Sequence, residues 1–247
     1  MCENYELLGN VDPDRNFYSD ILDKDKQSLY YSVDEINNDD SNLLSVILSC
    51  NIRSLAKNCD SFLAMLYYLK VNPFVISLSE TWLKNENKIL FNIHGYKNFH
   101  TIRQNRISGG VSVMVREDLV CEHILTLSVA NEFMESCVVK IELGGDEMFI
   151  FSVYRSHHQD IPSFTDNLLI LLNDPILLNR KIILTGDFNV NLLDTTNSHV
   201  NYFVHSMQSL NFLSTILHPT RLSDSQISSL LDHLWVNFCS TFKVVSF

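Results

Sequence analysis

Short apolar runs constrain the fold of this chain more than any other feature of its sequence. They occur at Leu43–Cys50, Phe74–Leu78, Val111–Val115 and Lys181–Thr185. Runs of this length are shorter than buried helices usually are, and they are typical of strands that are covered on both faces. The sequence therefore predicts a core of β-strands.

Further patterns predict a hairpin, helices and a last strand. Val138–Leu143 and Met148–Tyr154 flank Gly144-Gly145-Asp146, which is the pattern of two strands joined by a tight turn. The other predicted elements are a helix after Asp60, a helix with a capping box at Ser163 and Asp166, a helix over 199–213, and a strand over Leu231–Val236 with Asp232 at its start. Because hairpins and lone strands interrupt the βαβ order, we expect a four-layered α/β sandwich, in which helices flank two packed sheets, rather than a doubly wound sheet.

The charge is concentrated at the N-terminus. Residues 1–40 contain eleven acidic and three basic residues, a net charge of −8, within a chain whose net charge is −11. Residues 1–42 also lack sustained periodicity, so we expect an extension that is disordered or loosely attached, followed by one domain over 43–247. That domain has a net charge close to −3, which does not exclude a nucleic acid partner.

Several classes of protein are excluded by what the sequence lacks. No apolar run is long enough for a membrane span, and the N-terminus has no signal-peptide pattern, so we expect an intracellular protein, nuclear or cytoplasmic and not secreted. The six cysteines form no CxxC pair and are expected to be free thiols. Glycine-rich nucleotide-binding loops are also absent.

Polar residues stand where the predicted strands end. These residues are Asn51, Glu80, Tyr154, Asp187 with Asn189, and Asp232. Each has an ordinary explanation when taken singly, since carboxylates cap strands and Asp-x-Asn sequences form turns. Taken together and in this order, they indicate a functional site at strand ends.

The combined pattern resembles the endonuclease/exonuclease/phosphatase superfamily over roughly residues 43–247. It is most similar to the endonuclease domain of non-LTR (LINE-type) retrotransposons. The phrases that carry this resemblance are Asn51-Ile52-Arg53-Ser54-Leu55, Ser79-Glu80-Thr81-Trp82-Leu83, Gly109-Gly110-Val111, Val153-Tyr154-Arg155, Gly186-Asp187-Phe188-Asn189, Pro219-Thr220-Arg221, Ser229-x-x-Asp232 and Leu230-Leu231-Asp232-His233.

The resemblance implies a deoxyribonuclease-I-like fold and a Mg²⁺-dependent nuclease, with Mn²⁺ as a possible substitute, that nicks duplex target DNA. It assigns the metal to Glu80 and Asn51, and the attacking water to Asp187. The phosphate contacts fall to Asn189 and Tyr154. Ser229 supports the site, Thr220 contacts the DNA backbone, and Asp232 orients a catalytic histidine. These side chains are the types that phosphodiester cleavage requires.

The family's Ser-Asp-His motif has no counterpart after Asp232. Phe238–Phe247 contains neither histidine nor aspartate, so we expect a domain that is truncated at its C-terminus. His233 is expected to point to the opposite face of its strand. Three hypotheses remain open: a DNA-nicking enzyme, a non-catalytic remnant of that domain, and a phosphatase acting on inositol phosphates or sphingomyelin. No reverse transcriptase domain and no signal for the oligomeric state are found in the sequence.

Overall fold

The computed structural model describes residues 46–70, 72–104, 108–222 and 228–238, together with the backbone of 243–246. The α-helices in this part of the chain are α1 (Leu55–Tyr68), α2 (Ile161–Leu172) and α3 (Ser198–Ser209). The strands are β1 (Val46–Asn51), β2 (Val75–Ser79), β3 (Tyr96–Thr101), β4 (Val111–Arg116), β5 (Cys121–His123), β6 (Glu135–Leu143), β7 (Asp146–Tyr154), β8 (Lys181–Asp187), β9 (Leu213–Ser214), β10 (Asp232–Val236) and β11 (Lys243–Ser246). Short 3₁₀ helices span Lys88–Phe91 and Pro175–Leu177.

The strands form two mixed sheets. Sheet A has the order β11-β1-β2-β4-β3, and sheet B has the order β5-β6-β7-β8-β10-β9. In sheet A, β1 runs parallel to both β2 and β11, and in sheet B, β7 runs parallel to β8. The other neighbouring strands are antiparallel. The predicted two-sheet architecture is confirmed.

Three apolar clusters separate four layers of structure. The cluster between the sheets contains Val75 and Val113 of sheet A and Val139 and Ile150 of sheet B. A second cluster packs α1 onto the outer face of sheet A, and a third packs α2 and α3 onto the outer face of sheet B. Each fully buried Val, Leu, Ile or Phe side chain contributes roughly 1.5–3 kcal/mol to the free energy of folding, so these clusters hold the four layers together.

The helices begin earlier than their sequence patterns predict. The α1 helix starts at Leu55 rather than after Asp60, because the Ser54 side chain caps it by accepting a hydrogen bond from the Lys57 backbone N–H. The α2 helix starts at Ile161, because the carboxylate of Asp160 accepts from the Ser163 N–H at 2.9 Å. The predicted capping box at Ser163 and Asp166 is therefore wrong, and Asp160 is the N-cap.

The strands that the sequence failed to predict include three edge strands. β3 and β5 lie at open edges of their sheets and β9 lies at the far edge of sheet B. Edge strands are covered on fewer sides, so their sequences are short or largely polar and give a weak apolar signal.

Three further predictions concern the N-terminal extension, membrane spans and the cysteines. The predicted loose extension over residues 1–42 lies outside the described residues. Among the described helices, none is long and apolar enough to cross a membrane. The cysteines that can be described, Cys50, Cys59, Cys121 and Cys137, are free thiols.

Candidate active site

One edge of the sandwich collects the polar residues that follow the central strands. Asn51 ends β1 and pairs with Ser79, so Glu80 emerges beside it from the parallel strand β2. Tyr154 and Asp187 are partners at the ends of the parallel strands β7 and β8. Asp232 begins β10 directly opposite Asp187. The two sheets therefore bring their polar strand ends to the same edge.

Asn51 joins the two sheets at this edge. Its side-chain amide Nδ2 donates to Glu80 Oε1 at 2.8 Å and to Asp187 Oδ2 at 2.7 Å. Its carbonyl Oδ1 accepts from the backbone N–H of Arg53 at 3.2 Å. Glu80 has a left-handed backbone, with φ of 52°, which turns its side chain out of the strand direction. The arrangement fixes two carboxylates on either side of one amide.

The carboxylates of this edge share a confined, negatively charged space. Asp187 is 3% exposed, and burial followed by the charge of Asp232 raises the pKa of Asp187 to about 6. Burial also raises the pKa of Asp232, although a hydrogen bond from Thr220 opposes the shift. A cluster with raised carboxyl pKa values carries negative charge that a cation would stabilise.

Tyr154 lies behind Glu80. The ring packs into the core between the sheets, and the hydroxyl is hydrogen-bonded to the Glu80 carboxylate. Burial and then the negative charge of Glu80 raise the pKa of Tyr154, so the phenol stays protonated and can donate.

The turn after β8 shapes the position of Asp187. Gly186 has φ of 133°, and a Cβ at this position would overlap the backbone carbonyl of Val153 on the neighbouring strand. Asn189 has a left-handed backbone and donates its N–H to Asp187 Oδ1 at 3.1 Å. The Asn189 side chain donates from Nδ2 to the Arg155 carbonyl oxygen at 2.7 Å. Asn189 therefore holds Asp187 directly, through its backbone.

Arg155, which the sequence analysis did not single out, stabilises the same turn. It is 3% exposed, and its Nε donates to the Phe188 carbonyl at 2.9 Å. Its terminal nitrogens donate to the carbonyls of Asn189 and Gln159. A buried guanidinium is expensive unless its donors are satisfied, and here backbone carbonyls satisfy them. The only sequence signal was its position after Tyr154.

The segment before β10 forms the other wall of the site. Thr220 Oγ1 accepts from the backbone N–H groups of Leu231 and Asp232, at 3.2 Å and 3.1 Å. Ser229 pairs through its backbone with Arg221 and Thr220. A cavity of about 190 Å³ opens here, and its lining consists of Asn51, Arg53, Asp187, Thr220, Arg221 and Asp232. The other predicted site residues do not line this cavity but adjoin it through the contacts described above; they are Glu80, Tyr154, Asn189 and Ser229.

Glu135 is a second buried charge that the sequence analysis missed. It is fully buried, forms an ion pair with Arg103 at 2.7 Å and accepts from the Gly110 N–H. Its negative charge acts on Tyr154, its partner across the β6–β7 pair. The carbonyl of Gly110 in turn accepts from the Thr81 N–H at 3.1 Å. Glu135 thus supports the loop that follows Glu80.

His233 points away from this cleft, as its adjacency to Asp232 predicted. It is 1% exposed and stacks on Phe188 with ring centroids 4.6 Å apart. Its Nε2 faces the Val190 carbonyl oxygen at 2.9 Å. No histidine lines the cavity within the part of the chain described above.

The residues at this edge fit a divalent cation. Mg²⁺ binds few protein oxygens and retains several waters, and the Glu80 carboxylate is a hard donor of that kind. Asn51 presents its Nδ2 to Glu80 and its Oδ1 to the Arg53 N–H, so its amide would have to rotate to offer the oxygen to a cation. In the described ranges, no group of three or more histidine, cysteine, aspartate or glutamate side chains could enclose a metal. The described side chains would therefore fill only part of the coordination of a cation and leave the other positions to water or substrate. The neighbouring carboxylates of Asp187 and Asp232 supply negative charge that attracts a cation.

Solved structures with the same fold include endonucleases. The endonuclease domain of TRAS1, a telomere-specific non-LTR retrotransposon, superposes with a TM-score of 0.60 and 16% identity, covering 76% of this chain and 82% of that one. The catalytic domain of Xenopus laevis APE2 gives a TM-score of 0.57 and 14% identity, covering 77% and 82%. The AP endonuclease LMAP from Leishmania major gives 0.55 and 16%, covering 76% and 77%. At these identities, the likeness shows the fold.

Sequence comparison assigns the family. A search of curated proteins finds no significant match. The model of the endonuclease/exonuclease/phosphatase family matches residues 42–237, which is most of the chain. The match includes Asn51, Glu80, Asp187 and Asp232, the residues that the fold brings to one edge. This chain belongs to the endonuclease/exonuclease/phosphatase family.

Proposed function

We propose that this chain is a divalent-metal-dependent phosphodiesterase that nicks DNA, as the endonuclease domain of a non-LTR retrotransposon. The observation that carries the proposal is the bridge from Asn51 to Glu80 and Asp187, at 2.8 Å and 2.7 Å, which holds two carboxylates from different sheets in one cleft. Cleavage of a phosphodiester needs a metal ligand and a water-activating group side by side, and the bridge supplies both.

Glu80 and Asn51 would hold the cation. When bound, a divalent cation neutralises charge on the phosphate and helps to generate a nucleophile from water. Asp187 accepts a proton from the attacking water or orients it, a role that its pKa of about 6 suits near neutral pH. The hydrogen bonds from Asn51 and from the Asn189 backbone fix the direction of its two oxygens.

Tyr154 and the Asn189 side chain are the phosphate donors in this proposal. The Tyr154 hydroxyl is held protonated and gives its one hydrogen to Glu80, so it would turn to the phosphate when Glu80 holds the cation. The Nδ2 of Asn189 has a second hydrogen beyond the one that it donates to the Arg155 carbonyl. Donors placed where charge develops in the transition state are worth several kcal/mol each in comparable sites.

A second candidate function is a non-catalytic domain that retains the fold. The observation that favours it is the absence of any histidine from the cavity lining among the described residues, which leaves Asp232 beside Thr220 rather than beside an imidazole. A missing acid–base partner typically costs about 10²–10⁴-fold in rate. We therefore expect any nicking by this chain to be slow by that factor compared with a family member that has the histidine.

The test is nicking of supercoiled plasmid in Mg²⁺, followed by the appearance of the relaxed circle. We expect slow nicking that Glu80→Gln and Asp187→Asn abolish. Glu142→Gln is the matched control, because it makes the same chemical change at an exposed position of β6. Loss of nicking in all of these variants alike, or its persistence in Glu80→Gln, would contradict the assigned roles.

Two further arms separate the hypotheses. A chain extended by a Ser-Asp-His segment should nick faster if the missing histidine limits the rate. The absence of nicking in both chains, with the fold intact by circular dichroism, would favour the non-catalytic domain. Release of inorganic phosphate from inositol phosphates, without plasmid nicking, would favour the phosphatase hypothesis instead.

A further inference from the structure

Two arginines from distant parts of the sequence face the same cavity. Arg53 follows β1, and Arg221 precedes β10, yet both line the cavity of about 190 Å³ together with Asp187 and Asp232. Both side chains are exposed. The cavity therefore has an acidic floor, made by the carboxylates of the sheets, and a basic rim.

The backbone of Arg53 is held in a strained conformation. Its φ is 44°, in the left-handed region that glycine adopts without cost and other residues rarely enter. Asn58 of α1 donates from Nδ2 to the carbonyls of Ile52 and Arg53, at 2.8 Å and 3.0 Å. The next N–H, that of Ser54, donates to the Glu80 carbonyl at 2.8 Å. The loop that carries Glu80 and the loop that carries Arg53 are thus tied together, and the chain keeps a guanidinium where a glycine would relieve the strain.

Arg221 is held equally firmly. Its N–H donates to the Ser229 carbonyl at 2.9 Å, and its carbonyl accepts from the Ser229 N–H at 3.0 Å. Thr220, next to it, accepts from the backbone N–H of Asp232 at 3.1 Å. This side chain therefore projects from a fixed point beside Asp232.

The charge of these arginines is not neutralised by a neighbouring carboxylate in the described part of the chain. Arg103, Arg116 and Arg180 each form an ion pair with a carboxylate, at 2.6 to 2.8 Å. No described carboxylate lies within ion-pair distance of Arg53 or Arg221, although both guanidinium groups act on the charge of Asp232. Two exposed guanidinium groups on fixed backbones at one rim form a site for an anion that shares its charge between two oxygens, such as a phosphodiester.

We propose that Arg53 and Arg221 together bind a backbone phosphate of the substrate strand next to the phosphate that is cut. The inference rests on the proposed function, since it places the cut phosphate between Glu80 and Asp187. A second bound phosphate makes the site one for an internal phosphodiester of a polynucleotide. A lone phosphate monoester, with no neighbouring phosphate, has no second phosphate to offer this rim.

The first experiment measures binding without cleavage. Fluorescence anisotropy of a labelled DNA duplex in EDTA gives the dissociation constant over a series of salt concentrations. Each phosphate contact adds about 0.9 to the slope of log affinity against log salt concentration. Because the two guanidinium groups share one phosphate, loss of either breaks that single contact. We therefore expect Arg53→Ala and Arg221→Ala each to weaken binding about tenfold and to lower the slope by about 0.9, with no further fall in the slope of the double variant, while Arg53→Lys keeps the slope because it keeps the charge.

Lys57→Ala is the matched control. Lys57 is an exposed base in the first turn of α1, four residues after Arg53, and it does not line the cavity. We expect it to leave the slope unchanged. An equal fall in slope for Lys57→Ala would show a general electrostatic effect of the surface and would overturn the specific contact. Unchanged slopes in both arginine variants would also overturn it.

The second experiment counts phosphates. A thymidine dinucleotide with one internal phosphate and a trinucleotide with two compete against the labelled duplex. The wild-type chain should prefer the trinucleotide about tenfold, and both arginine variants should lose that preference. Equal competition by the two oligonucleotides against the wild-type chain refutes the second phosphate site, and so does a failure of the wild-type chain to bind DNA. Absence of plasmid nicking, with this binding pattern intact, refutes the proposed function and leaves the phosphate site standing.

Discussion

Lowering the pH is expected to destabilise the folded chain through His233. Its neutral ring fits the core: Nε2 donates to the Val190 carbonyl at 2.9 Å, and Nδ1 accepts from the indole N–H of Trp235 at 3.4 Å. A protonated ring would bring a second N–H against that indole N–H, two donors face to face. Burial, with the nearby positive charge of Arg155 as a smaller contribution, lowers the pKa of His233 to about 3.

The magnitude follows from the difference between the folded and unfolded pKa values. An unfolded histidine has a pKa near 6.5, so below that pH the unfolded chain binds a proton that the folded chain refuses. The stability contributed by the neutral ring is complete above the unfolded pKa and is lost as the pH falls from 6.5 towards 3. Each pH unit in that window costs about 1.4 kcal/mol, which is about 2 kcal/mol at pH 5.

Urea unfolding at pH 7.5 and pH 5 measures this loss. His233→Gln removes the titrating ring and keeps an amide that can donate to the same carbonyl. We expect the free energy of unfolding to fall by about 2 kcal/mol more in the wild-type chain than in this variant. His199→Gln, at an exposed position of α3, should lose as much as the wild-type chain. Equal losses in the wild-type chain and His233→Gln would refute the reasoning.

Two substitutions test the site itself. Gly186→Ala should lower the free energy of unfolding in urea by about 2 kcal/mol more than Gly145→Ala does. Both glycines have positive φ, but only at Gly186 would a Cβ overlap the Val153 backbone. Equal losses in the two variants would contradict this reasoning. Mg²⁺ should raise the melting temperature of the wild-type chain and of Glu142→Gln but not of Glu80→Gln, because a ligand that binds only the folded state stabilises it; a rise in Glu80→Gln would place the metal elsewhere.

The strands that build the centre of the fold were predictable because they are buried on both faces. Largely apolar runs make up β1, β2, β4, β7 and β8. The polar residue that follows such a run therefore lies at the end of a strand. Functional sites of sheet proteins gather at such strand ends. For that reason Asn51, Glu80 and Asp187 could be named from the sequence, whereas their catalytic roles stay a prediction.

Helix starts and edge strands were less predictable because their signals are local and weak. Asp160 and Ser54 cap helices that the apolar spacing placed later in the chain. β3 carries Tyr96, Lys97 and Asn98 in its first half, so it shows no apolar run, and its pairing with β4 supplies the hydrogen bonds that make it a strand. A short polar segment becomes a strand when a neighbouring strand offers it hydrogen bonds, and the sequence of the segment does not show whether such a strand is present.

The sequence by itself determined which segments are buried and which polar residues end them, since apolar periodicity reports burial directly. Only the tertiary structure decided how the two sheets face each other, and that arrangement places Asn51 of sheet A within 2.7 Å of Asp187 of sheet B. The same packing buries Arg155 and Glu135 beneath the site and sets Arg53 and Arg221 on one rim. These contacts join residues far apart in the chain, because the energy that creates them is the burial of the apolar faces between them, and no local pattern records which distant loops that burial brings together.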